Sequence, residues 1–209
     1  MSEAPRVVNL ADVSTGDHAL VGGKASKLGE VVRQGLPVPP GVVVTTRSYA
    51  EFVDGTGIGP AITAALARID PERPETVEPA SRQIRELFEQ TEFPAALRTT
   101  LVKALEGFEK EHAVAWCAVR SSATAEDLEG ASFAGLQETY LNVRGTEAIL
   151  SAVRRCWGSL FTPRVLVYRA KKGYDHASVE LAVLVQKMVD STVSGILFTR
   201  DPNTGENHM

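Results

Sequence analysis

Hydrophobic positions recur along the chain with two spacings, and each spacing predicts an element. Over residues 24–34, Leu28, Val31 and Val32 share one helical face, and Gly35 supplies a stop. The run GLPVPPG cannot continue that helix. It leads into Val42, Val43, Val44 and Thr45, whose β-branched side chains predict a short buried strand. Thr46 or Ser48 is suited to cap a following helix that carries Tyr49, Phe52 and Val53. The middle of the chain keeps the helical period. Residues 60–69 are alanine-rich, Ile84, Leu87 and Phe88 fall on one face, and Pro94 opens a longer helix. Leu97, Leu101, Ala104, Leu105 and Phe108 form a single stripe on it, which predicts a core-facing surface. The charged tract 70–75 reads as a surface connection.

The pattern changes after His112. Residues 113–119 predict a strand, and 120–134 a long polar loop. Alternation resumes over 138–143, with Tyr140 and Asn142 on one face and Thr139, Leu141 and Val143 on the other. Residues 148–161 and 163–172 predict two helices, the second ended by Gly173. Residues 181–189 and 195–199 predict two strands, joined by a hairpin turn over 190–194. Segregated helices and strands predict an α+β fold. The turn signal Asp201-Pro202-Asn203-Thr204-Gly205 follows the last strand closely, an unusual place for such a domain to finish. The expectation is a partial domain over 1–209, truncated at its C-terminal side.

Composition narrows the function classes. The 209 residues are 44% hydrophobic and 23% charged, an ordinary globular balance. The formal charge of −4 argues against a broad nucleic-acid or anionic-membrane surface. Cys117 and Cys156 are far apart and form no CxxC pair, against a disulfide scaffold or a zinc site. His18, His112, His176 and His208 have no metal-ligand spacing. No apolar run is long enough to span a membrane, and MSEAPRVVNL is unlike a secretory signal. These features predict a cytoplasmic location.

Three stretches carry candidate chemistry. In Val21-Gly22-Gly23-Lys24-Ala25, two glycines before a helix expose backbone N–H groups to an anion, and Lys24 can reach the same anion. The spacing differs from the P-loop pattern, and a plain glycine turn with a solvated lysine fits equally well. The second stretch runs from Ala118-Val119-Arg120-Ser121-Ser122 through Glu126-Asp127 to Ala131-Ser132-Phe133-Ala134-Gly135. Arg120 offers a planar fork of donors that matches phosphate, and small residues let a loop close over a polyphosphate. Gly130-Ala131-Ser132 lacks the closing glycine of a nucleophile elbow, which sets aside a serine hydrolase. The third stretch, Leu184 to Val189, is an apolar strand whose Met188 can pack on an adenine ring. A core strand is the alternative reading. Glu126, Asp127, Glu129 and Asp201 are acidic candidates for magnesium but form no compact pair, and no metal ligand is assigned.

Taken together, VGGKASKLGE, GLPVPPGVVVTT, AVRSSATAEDLEGASFAGLQETYLNVRG, RRCWGSLFTPRVLVYRAKKGYDH and VQKMVDSTVSGILFTRDPNTGE resemble one family. It is the N-terminal ATP-binding domain of phosphoenolpyruvate synthase, shared with pyruvate phosphate dikinase and rifampicin phosphotransferase. The resemblance implies an ATP-grasp-like fold with ATP and magnesium as cofactors. Carried over by motif, it implies Lys24 and Arg120 on the ATP phosphates, Gly135 in the lid, Thr139 at the nucleotide, and Gln186 and Met188 on the adenine side. It also implies a phosphohistidine domain and an acceptor domain beyond this chain, so that the isolated chain carries no catalytic residue and no transfer activity. The acceptor is pyruvate or a rifamycin, and PVPPGVVVT and FAGLQETYLNV incline the reading toward pyruvate. A non-catalytic nucleotide-binding subunit is the reading from a different class.

Overall fold

Five short strands pair into one antiparallel sheet in the order β1-β2-β5-β3-β4. They are β1 (Val7–Asn9), β2 (Gly41–Val44), β3 (Cys117–Ala123), β4 (Thr139–Val143) and β5 (Leu181–Lys187). The computed structural model describes residues 4–124, 138–172, 179–198, 200 and 204. Seven α-helices accompany the sheet among these residues: α1 (His18–Arg33), α2 (Thr46–Thr56), α3 (Gly59–Leu66), α4 (Pro74–Gln90), α5 (Ala95–Glu111), α6 (Thr146–Gly158) and α7 (Pro163–Lys172). The α+β expectation holds.

β5 lies in the middle of the sheet and is covered on both faces, which explains its unbroken apolar run. On one face, Val42, Val44, Cys117, Val119, Val183 and Val185 join the main core. The helical stripes supply the rest of that core: Phe52 from α2, Phe88 from α4, Leu97, Leu101, Leu105 and Phe108 from α5, and Trp157 from α6. Phe52 sits 5.1 Å from Trp157 and 5.9 Å from Phe88, ring centre to ring centre. The Trp157 indole N–H donates to the Leu181 carbonyl at 3.1 Å and ties α6 to β5. On the other face, Val43, Ala182 and Leu184 pack with Val21 and Ala25 of α1, closed by Leu10 and Val13.

Several local expectations are corrected. The polar stretch after Arg120 is not all loop: β3 continues to Ala123, with Ser121, Ser122 and Ala123 paired to Val183, Ala182 and Leu181. Small hydroxyl residues read as loop, yet here they let α1 approach the sheet closely. Ala113 and Val114 are not strand. Ala113 takes φ 47° and the Val114 N–H returns to the Glu109 carbonyl at 2.9 Å, which closes the end of α5. In β4, Val143 pairs with Cys117 while Tyr140 pairs with Val119, so an extra residue bulges out of the strand. Asn142 absorbs it at φ 57°. Tyr140 and Val143 therefore share the core face, rather than Tyr140 and Asn142. Neither Thr46 nor Ser48 caps α2. Thr45 is the N-cap residue and makes no side-chain cap bond. Thr46 donates to the Ala19 carbonyl, and Ser48 to that of Arg6. Residues 195–198 form no strand, so the hairpin expected over 190–194 does not form among the described residues.

Candidate nucleotide site

The sheet register assigns faces to the candidate residues. Arg120 pairs with Leu184 and Thr139, Ser122 with Ala182, and Gln186 with Ala118 and Gly41. Directly paired residues point to the same side of a sheet. Leu184 and Ala182 pack against α1, so Arg120, Ser122, Thr139 and Gln186 all lie on the α1 side.

Lys24 reaches this face because α1 is broken just before it. Gly22 takes φ 73° and ψ 169°, a conformation open in practice only to glycine. A Cβ at this position would stand 2.1 Å from the Ser122 carbonyl oxygen, so helix and strand touch backbone to backbone. The Ser122 hydroxyl donates to the Val21 carbonyl at 2.8 Å and accepts from the Ala25 N–H at 3.0 Å. With the turn pinned in this way, the Lys24 ammonium donates to the Ser121 carbonyl at 2.7 Å. Of the two sequence readings of Gly22-Gly23-Lys24, a plain turn with a solvated lysine does not fit: the glycines are buried and the lysine is half-buried against β3.

Arg120 is next to Ser121 in the chain. Its guanidinium donates to the Gln186 side-chain oxygen at 3.3 Å, and the Gln186 amide donates in turn to the Pro39 carbonyl at 3.0 Å. The structure thus joins an expected phosphate residue to an expected adenine-side residue. Thr139 is exposed beside them on β4. Met188 lies past the end of β5, where its backbone N–H donates to the Trp116 carbonyl at 2.9 Å and its sulfur faces the Asn142 N–H at 3.1 Å. Met188, Pro39, Pro40, Trp116 and Asn142 line an open cleft of about 820 Å³. Neither Lys24 nor Arg120 is in its walls. Pro39, the carbonyl acceptor for Gln186, connects the cleft with the Arg120 pair. Gly135 lies outside the described residues, as do Glu126, Asp127, Glu129 and Asp201.

The remaining titratable groups nearby are not set up as nucleophiles. Burial pushes the Cys117 thiol up to about 11, with Glu109 adding to the effect. Burial also raises Cys156 well above the ordinary thiol range, despite an opposing pull from Lys24 and Arg155. The arrangement offers two cations at one strand and a neighbouring open cleft of mixed lining, which is chemistry suited to a phosphorylated ligand.

Sequence reasoning missed Ser122, Trp116, Asn142 and the Pro39 carbonyl. The two serines after Arg120 carried a signal for the first of these: a hydroxyl continuing an alternating strand pattern points to one face.

Comparison with known proteins gives the family. A profile of the pyruvate phosphate dikinase AMP/ATP-binding domain matches residues 18–209. The chain belongs to this family. A probable phosphoenolpyruvate synthase of Archaeoglobus fulgidus is 49% identical over 201 residues, covering 96% of this chain and 27% of that protein. The phosphoenolpyruvate synthase of Aeropyrum pernix is 48% identical over 204 residues, covering 94% of this chain and 24% of the relative. A rifampicin phosphotransferase of Bacillus subtilis is 42% identical over 204 residues, covering 97% of this chain and 23% of the relative. The chain thus spans about a quarter of the length of these relatives. No described helix is long and apolar enough to cross a membrane.

Proposed function

We propose that this chain is the ATP-binding portion of a phosphoenolpyruvate synthase-like dikinase with an ATP-grasp-like fold. In the complete protein a phosphoryl group passes from ATP to a histidine on a separate domain, and then to pyruvate. The observation that carries this reading is the meeting of two cations at one strand: Lys24 bonds to Ser121, the neighbour of Arg120, on the α1 side of the sheet. Lys24 and Arg120 bind the phosphates and Thr139 touches the nucleotide. Gln186 orients Arg120, and Met188 packs the adenine side. Gly135 is assigned to the lid on its motif alone.

The chain's own contribution is positioning and charge neutralisation, the main part of enzymatic phosphoryl transfer. One cation–phosphate contact at ~4 Å is worth about 4 kcal/mol at an effective dielectric near 20, before desolvation. Magnesium, which the resemblance implies, finds no set of three His, Cys, Asp or Glu ligands among the described residues. No histidine of this chain is assigned as phosphoryl acceptor, so the chain alone is proposed to lack transfer activity.

The relatives named rifampicin phosphotransferase support a second reading, in which a rifamycin is the final acceptor. The ATP-binding role is common to both. Titration calorimetry on the parent chain and on Arg120→Ala tests it. The expected result is at least a ~10-fold loss of ATP affinity for one lost charged contact. Equal affinities contradict the assignment.

A further inference from the structure

An unbroken helix through Val21 would return the Ala25 N–H to the Val21 carbonyl, four residues earlier. The Gly22 break opens that bond, and a side chain from the sheet closes it again. The Ser122 hydroxyl gives its proton to the Val21 carbonyl at 2.8 Å and takes the Ala25 N–H at 3.0 Å. It is a one-atom splice in a helical ladder, fully buried. The fit is close, since even a methyl group on Gly22 would meet the Ser122 backbone.

Cationic groups stand on both sides of the splice. Lys24 lies within the spliced turn and reaches the Ser121 carbonyl at 2.7 Å. Arg120 lies two residues before Ser122, on the same face of β3. We propose that Ser122 is a positioning residue for the nucleotide: its hydroxyl sets the Lys24 turn against the Arg120 strand so that both cations address one triphosphate. The proposal rests on the ATP-binding reading above. Without the hydroxyl, the Val21 carbonyl and the Ala25 N–H lose their shared partner in a site closed to water. Direct closure of the bond relieves that loss, but it regularises the turn and swings Lys24 away from β3.

The test is a double-substitution cycle read with two ligands. ATP and adenosine are titrated calorimetrically into the parent chain, Ser122→Ala, Lys24→Met and the double variant. Ser122→Ala is expected to weaken ATP ~10-fold, while adenosine changes by no more than about twofold. In the Lys24→Met background, the further loss of ATP affinity is expected to shrink to about twofold or less. A purely structural role predicts otherwise. Equal losses for ATP and adenosine, or the same multiplicative loss in both backgrounds, overturn the proposal. Folding of each variant is followed by thermal unfolding. Should Ser122→Ala not fold, Ser122→Cys carries the same comparisons with similar volume and a weaker donor, and the same outcomes decide. A parent chain that binds no ATP, or a Lys24→Met variant that binds it like the parent, overturns the nucleotide reading and this proposal together. The multiplicative result overturns this proposal alone.

Discussion

Gly22 is the residue on which the site's geometry turns. Its φ of 73° and ψ of 169° belong to a region that side-chain-bearing residues almost never occupy. A Cβ would also stand 2.1 Å from the Ser122 carbonyl oxygen and 2.6 Å from its hydroxyl. Strain and clash act together, so Gly22→Ala is expected to destabilise the fold by about 3 kcal/mol. Urea unfolding checks this; a loss below about 0.5 kcal/mol would mean that helix and strand are not in backbone contact there. Gly57 also has positive φ, but a Cβ there would meet nothing within 4 Å. The two glycines look alike in the sequence, and only the neighbouring strand separates their roles.

At the scale of elements, the end of α5 carries a conformational defect that can be measured. Ala113 occupies the left-handed position after the helix, at φ 47°, where glycine is the favoured residue. Ala113→Gly is expected to raise the unfolding free energy by roughly 0.5–1 kcal/mol, once the extra freedom of unfolded glycine is subtracted. A fall in the urea midpoint would contradict that. The same position shows why some elements were legible and others were not. Leu97, Leu101, Leu105 and Phe108 of the predicted stripe are buried, Ala104 is only partly so, and Pro94 does precede the helix. The alternation over β4 predicts a strand, which forms, but a single bulged residue at Asn142 reverses the face of Val143. Period-two patterns carry no sign of such an insertion. The sequence pattern ends β3 at Val119 because serine favours turns and alanine has little strand preference. Their small size is what lets α1 pack on the strand. Lys24 and Arg120 are legible as cations in the sequence, and their proximity to one strand is a product of the fold. The Ser122 bridge was not legible, since it joins residues distant in the chain.

For the molecule as a whole, buried ionisable groups set the response to alkali. The Cys117 thiol has an ordinary value of 9.0 and is raised to about 11 in the folded chain by burial, then by Glu109. Its contribution to stability is complete below pH 9.0 and fades as pH rises toward about 11. Cys156 and Tyr49, both raised chiefly by burial, act in the same direction. Arg169 acts in the opposite one. Burial lowers it to about 10, and all three of its guanidinium nitrogens are buried without a hydrogen-bond partner among the described residues. Its charge therefore weighs against folding at neutral pH. The expected outcome is a steady loss of unfolding free energy that begins near pH 9.0 and continues above 10, where Tyr49 joins Cys117 and Cys156. Urea unfolding across this range checks the sign; stability that rises from pH 8 to 10 would contradict it.

The same molecule-wide packing, α1 on one face of the sheet and six helices on the other, brings residues 24 and 120 to a single strand. The most direct measurement of the central claim is a crystal structure of this chain with a non-hydrolysable ATP analogue. The account predicts the Lys24 ammonium and the Arg120 guanidinium within hydrogen-bonding distance of oxygens on one triphosphate, with the purine toward Met188. A nucleotide held by only one of the two cations, or bound on the opposite face of the sheet, would contradict it.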